Sequence, residues 1–295
     1  MEEILKYLPR KLIEEINMYM GNSNINEIRI RVKTNVILRF GQREININYI
    51  PLKEDILNIL LAVSKNSIYS IQNDINNGFL TIKGGHRVGV TGEVIIENGN
   101  IKNIKNISSM NIRVAREING AANKIINMVI SGRRVKNTLI ISPPGCGKTT
   151  ILRDLIRQIS NIGRNVSLID ERGEIASMYE GSPMLDVGKR TDVMSFCPKY
   201  MGINLVTRSM GPEVIATDEI GSNKDIEAIK EAVLTGVSLL FTMHGRDVND
   251  IKKNKEMMEM IDNGYFDVIV FLSNRNGVGT IERILKGKED LNVCS

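Results

Sequence analysis

A chain of 295 residues with 42% hydrophobic side chains can bury at least one sizeable core, and its length suggests about two domains. The net charge of +5 is gathered in no basic run, and aromatics at 4% without tryptophan leave little for a base-stacking surface, which argues against a single-strand binder. Cys146, Cys197 and Cys294 are odd in number and widely spaced, against both a disulfide framework and a paired-cysteine metal site.

The opening MEEILKYLPRKL is acidic and amphipathic rather than a signal peptide, and no stretch approaches the roughly 18 apolar residues of a spanning helix, so a cytoplasmic location is expected. Helical periodicity covers residues 4–20 and 54–64, and strand-like alternation marks INEIRIRV, VILRF and REININYI. Arg29 and Arg31 share one face of the first of these strands, expected to be solvated. His86 in KGGHRVGVTG reads as structural. In RVGVTGEVIIENGNIKNIKNIS the pair Asn98-Gly99 marks a hairpin, because both residue types tolerate positive φ. Residues 1–118 therefore read as a smaller α+β domain, and they hold most of the basic excess.

Gly120 breaks the pattern, a helix is expected after it, and Gly132 with three basic residues leads into the next strand. From Thr138 onward apolar runs alternate with helical patterns: TLIIS, TTILRDLIRQIS, NVSLID, VIATD, NKDIEAIKEAVLTG, SLLFTM, a polar helix and DVIVFL. That rhythm predicts an α/β fold over 119–295, with a parallel-rich sheet and crossover helices.

The segment ISPPGCGKTT ends a strand and opens a helix, the context in which backbone N–H groups ring phosphates at a positive helix terminus. Its nucleotide-binding candidates are Ser142, Pro143, Pro144, Gly145, Cys146, Gly147, Lys148, Thr149 and Thr150. Lys148 is expected on the β and γ phosphates of ATP, Thr149 on Mg²⁺, and Gly145 and Gly147 at close backbone approach. Ser142 replaces the usual first glycine; Pro143 and Pro144 supply no N–H, so the cradle must start at Gly145. Cys146 is a small filler.

Hydrolysis needs further groups at strand ends. VIATDE places Asp218 toward the metal's second shell, with Glu219 beside it to position water. NVSLIDERGE offers Asp170 as a further metal ligand, with Glu171 and Glu174 as further acids; helix capping is the competing role for this cluster. SLLFTM leads to Thr242 and His244, near the γ-phosphate if the strands are neighbours.

The order ISPPGCGKTT, IDERGEI, TRSMGPEVIATDEIG and FTMHG resembles the RecA-like secretion ATPases of type II secretion and type IV pilus systems, which are homohexameric motors. Their Walker A, Asp box, Walker B and His box resemble residues 142–150, 170–174, 214–219 and 242–245. More narrowly, NGFLTIKGGHRVGVTGE, ISPPGCGKTTILRDLIRQIS and CPKYMGINLVTRSMGPEVIATDEIG resemble the stage III sporulation protein AA family of endospore-forming bacteria, over nearly the whole chain. The resemblance implies a RecA-like Mg²⁺-dependent ATPase, a hexamer peripheral to the cytoplasmic face of a membrane, energising integral-membrane channel subunits between mother cell and forespore. Arg208, before the Walker B strand, would reach a phosphate in its own or a neighbouring site. Arg190, Arg113, Arg116, Arg29 and Arg31 are other sources of an arginine acting across subunits. IDERGE departs from the Glu-Asp-Pro pattern usual in secretion motors, so the general base stays open between Glu171 and Glu219. A nucleic-acid-stimulated ATPase and a non-catalytic nucleotide-binding scaffold are the alternatives.

Overall fold

The computed structural model describes residues 1–20, 24–65, 67, 71–76 and 78–287, which leaves Cys294 outside the described residues. Two compact units divide the chain: Met1–Arg116 with Ser177–Met184, and Glu117–Ala176 with Leu185–Ser295.

In the first unit, period-two alternation builds a six-stranded antiparallel sheet. Its strands are β1 (Glu27–Arg31), β2 (Thr34–Phe40), β3 (Arg43–Asn46), β4 (Phe79–Ile82), β5 (His86–Glu97) and β6 (Asn100–Arg113), in the order β3-β2-β1-β6-β5-β4. Ile28, Ile30, Leu38, Val88 and Ile112 are buried in one core with Leu12 and Ile16 of α2 (Arg10–Asn17) and Ile56 and Ile59 of α3 (Lys53–Val63). The helical pattern over 4–20 is split, because Pro9 is extended at ψ 141° and lacks the N–H that would continue α1 (Glu2–Leu5) into α2. A short α4 (Gln72–Asn76) precedes β4. Asn98 and Gly99, at φ 51° and 77°, form the two-residue turn between β5 and β6, with Glu97 opposite Asn100.

The solvated face expected of Arg29 and Arg31 is half-buried, since β2 and β6 flank them and the Arg29 Nε donates to Glu27. His86 is structural in its contacts: buried, its Nδ1 accepts the Ala115 N–H at 3.0 Å.

The second unit opens with turns over 119–125 where a helix is expected; only α5 (Ile126–Val129) is helical. Gly120 sits at φ 85° and the Ala122 N–H is taken by Asp154 Oδ2 at 2.8 Å, which diverts the backbone from helical hydrogen bonding. The hairpin of β7 (Ile130–Ser131) and β8 (Arg134–Val135) turns at Gly132.

The main sheet follows from the fully buried apolar runs, which suit parallel strands covered on both faces. It contains β9 (Thr138–Ser142), β10 (Val166–Asp170), β13 (Thr191–Ser195), β14 (Val214–Thr217), β15 (Ser238–His244), β16 (Val268–Ser273) and β17 (Thr280–Leu285), in the order β13-β10-β14-β15-β9-β16-β17. Every pairing is parallel except β16 with β17. The helices are α6 (Lys148–Asn161), α7 (Lys199–Ser209), α8 (Asn223–Leu234), α9 (Val248–Lys252) and α10 (Lys255–Asp262). The rhythm read from sequence omits β13, α7 and β17.

Two consecutive domains, 1–118 and 119–295, also omit an excursion. Between β10 and β13 the chain forms a hairpin of β11 (Met178–Tyr179) and β12 (Ser182–Pro183) that belongs to the first unit, where Glu180 pairs with Lys65. The Leu185 N–H on the Ala176 carbonyl, 3.1 Å, closes the neck of this excursion.

Candidate functional site

Parallel pairing carries the C-terminal ends of β9, β10, β14 and β15 to one edge of the sheet, where ligands bind in open α/β folds. The turn after β9 reaches α6 through Gly145 at φ 73° and Gly147 at φ 88°. Its left-handed backbone angle favours glycine at 147, where a Cβ would also press on Val278 Cγ1 at 3.0 Å. The first intrahelical bond of α6 runs from Ile151 N–H to Gly147 O, which leaves the Lys148, Thr149 and Thr150 N–H groups at an open positive terminus. The Lys148 ammonium folds back onto the Ser142 carbonyl at 3.0 Å, and the same oxygen accepts the Gly245 N–H at 3.2 Å. One carbonyl thus ties the lysine to the turn after β15. Burial pulls the Lys148 pKa below its ordinary value, and the charge of Glu219 offsets this only in part.

Asp218 follows β14 directly and is buried; burial pushes its carboxyl up to about 6, against the charge of Lys199. Lys199, the first residue of α7, is 6% exposed, and its ammonium donates to Glu171 and lies 3.2 Å from Asp218 Oδ1. That Asp218 oxygen is within ion-pair distance yet receives no well-directed hydrogen bond, an orphaned acceptor at the rim of the cradle. Burial lowers the Lys199 pKa, but the Glu171 bond and the two carboxylate charges more than offset this and hold it raised. Glu219 is half-buried, 3.9 Å from Arg172.

Asp170 is fully buried, and its carboxylate accepts the N–H groups of Glu174, Ile175 and Ala176 at 2.9, 3.0 and 2.9 Å. From the other side Arg153 of α6 donates to the Ile175 and Glu174 carbonyls at 2.6 and 2.8 Å. Asp170, expected as a metal ligand, thus gives three of its carboxylate's acceptor positions to the loop that carries Glu171.

Residues 1–291 match the family described as Sporulation stage III, protein AA. The chain belongs to that family. It is 38% identical over 303 residues to the stage III sporulation protein AA of Bacillus subtilis, covering 100% of this chain and 97% of that protein. A segment of 106 residues is 30% identical to the putative type II secretion system protein E of Escherichia coli, 36% of this chain and 20% of that one. Among solved structures, the Legionella pneumophila ATPase DotB superposes with a TM-score of 0.58 at 15% identity, covering 88% of this chain and 75% of that one. The pilus retraction motor PilT with bound ADP superposes with a TM-score of 0.60 at 15% identity, covering 88% and 77%. At such identities the likeness shows the fold, that of RecA-like secretion ATPases.

In this member of the stage III AA family the remaining expected residues divide. Residues 142–150, Glu171, Asp218, Glu219 and the β15 end gather at one edge, where His244 is the register partner of Ser142 and is exposed. The buried Thr242 carbonyl takes the Ile220 N–H at 3.0 Å, bracing the turn after Asp218. Arg208 is exposed in the last turn of α7, nine residues or roughly 14 Å along the helix from Lys199, so it does not reach the phosphates of its own site. Arg190 precedes β13 at the opposite sheet edge and donates to Asn165 at 3.0 Å. Arg113 is exposed and Arg116 donates to the Ile25 carbonyl at 2.7 Å, both within the first unit. Lys199 is the site residue that sequence reading misses; its only local signal is a lysine directly after a helix-starting Pro198.

Magnesium needs no all-protein cage, since it is commonly held by one or two carboxylates together with phosphate. Among the described residues no group of three or more His, Cys, Asp or Glu side chains is arranged as one. The orphaned Asp218 oxygen and the Thr149 hydroxyl at the start of α6 are the donor set such an ion takes.

Proposed function

We propose that this chain is a Mg²⁺-dependent ATP-hydrolysing motor of the secretion-ATPase type, acting as a homohexamer that energises a membrane channel complex in sporulation. The observation that carries it is the convergence of the Lys148 ammonium, the open terminus of α6 and the carboxylates of Glu171, Asp218 and Glu219 at one sheet edge. Gly145 to Lys148 supply backbone N–H groups and an ammonium for the β and γ phosphates. Thr149 and Asp218 would hold magnesium, which when bound draws charge off the phosphates. Glu219, whose charge acts on Lys148, and Glu171, held by Lys199, are the groups that can take a proton from water.

Among the described residues no helix is long and apolar enough to cross a membrane, so the attachment proposed is peripheral, through integral-membrane channel subunits. Phosphate release with Mg²⁺ and ATP tests the reading. Lys148→Ala is expected to abolish it with unchanged circular dichroism, and Glu171→Gln or Glu219→Gln to slow it roughly 10²–10⁴-fold with nucleotide still bound. Normal turnover by Lys148→Ala overturns the assignment.

A further inference from the structure

Lys199 is a lysine nearly sealed from solvent, and its charge is spent on two carboxylates that come from different strands. Glu171 follows β10 and Asp218 follows β14, and these strands pair directly. Two carboxylates at adjacent strand ends repel one another, and a monocation between them relieves that repulsion. No other described ammonium or guanidinium pairs with Asp218 within 4.0 Å; Arg172 reaches Glu219 instead. Asp218 Oδ1 is buried with no well-directed hydrogen bond, and the Lys199 ammonium is the cation beside it.

We propose that Lys199 is a built-in counter-cation that holds the Glu171 and Asp218 carboxylates when magnesium is absent, and that magnesium nucleotide must draw Asp218 away from it. The inference rests on the reading of this edge as a magnesium-nucleotide site. Lys199 then acts as a positioning residue and sets a threshold: at low magnesium its charge competes for Asp218, and at high magnesium the ammonium stays with Glu171 alone. By linkage, an ion that loosens the Lys199 contact is itself bound less tightly because of that contact. A second consequence follows from charge alone. The ammonium lends positive potential to an otherwise acidic rim, so nucleotide without magnesium binds better with Lys199 than without it.

The test is a titration of a fluorescent ADP against the full-length protein at a series of magnesium concentrations, including excess chelator. Lys199→Met, similar in length and uncharged, is expected to lower the half-saturating magnesium by about tenfold while weakening binding in chelator. Without nucleotide, magnesium should raise the melting temperature of Lys199→Met but leave the native protein unmoved. Lys199→Arg keeps the charge and the native threshold. Lys199→Gln, which can still donate to both carboxylates without a charge, carries the same comparison where Lys199→Met does not fold. Equal half-saturating magnesium in the native and uncharged proteins overturns the inference even if turnover is lost. Absence of nucleotide binding by the native protein at every magnesium concentration instead overturns the underlying reading of the site, and this inference falls with it.

Discussion

The His86 ring accepts the Ala115 N–H through Nδ1, a bond that a doubly protonated imidazole cannot make, and burial pulls its pKa down to about 4. In the unfolded chain a histidine titrates near 6.5. Between those values the unfolded chain binds a proton that the folded chain refuses, so stability rises with pH over this window. The contribution is complete above about 6.5 and lost as pH falls toward 4, on the order of 3 kcal/mol at about 1.4 kcal/mol per unit. Asp218 works in the opposite sense. Its carboxyl, pushed up to about 6 by burial, costs stability as pH rises from the ordinary carboxylate range to 6, so only a comparison of proteins isolates the histidine. His86→Asn, whose Oδ1 can take the same N–H without titrating, is expected to lose less stability than the native protein between pH 7 and 4.5. Urea midpoints at the two pH values measure this, and parallel losses would refute it. At this scale the Lys148 cradle is legible because its parts are contiguous. Lys199 is not, because its partners meet it only after β10 and β14 pair. The role of Asp170 is equally hidden, since the turn that aims three N–H groups at one carboxylate leaves no mark in IDERGE.

At the scale of elements, α7 decides where Lys199 stands, and a close approach at Gly202 decides where α7 stands. A Cβ built on Gly202 would lie 2.8 Å from Cγ2 and 3.0 Å from Cγ1 of Ile169, a β-branched side chain fully buried in β10. Helix propensity alone favours alanine over glycine by about 1 kcal/mol. Overpacking a close contact costs about 1–3 kcal/mol, and Ile169 is β-branched, restricted at χ1 and fully buried. Gly202→Ala is therefore expected to destabilise the protein by about 1 kcal/mol net, and a raised urea midpoint would show that α7 is free to retreat. The contact also explains what sequence pattern leaves unread. TLIIS and VSLID are short apolar runs that the sheet buries on both faces, and they read as strands at once. CPKYMGINLVTRS presents glycine and scattered apolar residues because one turn of the helix touches backbone-close, which blurs its amphipathic period. β17 is half-exposed and β13 holds only Val193 and Met194 between polar Thr191, Asp192 and Ser195, so neither resembles the central runs. The single helix expected over 4–20 fails at Pro9, a local rule that periodicity alone does not weigh.

For the whole molecule, the second unit separates its cradle from two of the arginines that its sequence offers. Parallel strands put the cradle at their C-terminal ends, whereas α7 runs back toward their N-terminal ends and leaves Arg208 there, exposed. A guanidinium so placed can serve a transferring phosphoryl group only in a neighbouring copy, which is how closure of an assembly gates hydrolysis. With Mg²⁺ and a non-hydrolysable ATP analogue, light scattering is expected to give six copies of the 33.0 kDa chain. Assembly alone does not say whose arginine serves which site, but mixing does. Lys148→Ala lacks a working cradle and Arg208→Ala lacks the incoming guanidinium, so each should be inactive by itself. In random rings made from equal amounts of the two, about a quarter of the interfaces set an intact cradle against an intact Arg208, and phosphate release should return to a comparable fraction of native turnover. Rings that assemble on mixing yet release no phosphate would remove Arg208 from that role. The arginine would then have to be sought at the exposed Arg190 or on the first unit, where Arg113 is exposed and Arg29 and Arg31 are half-buried beside β6.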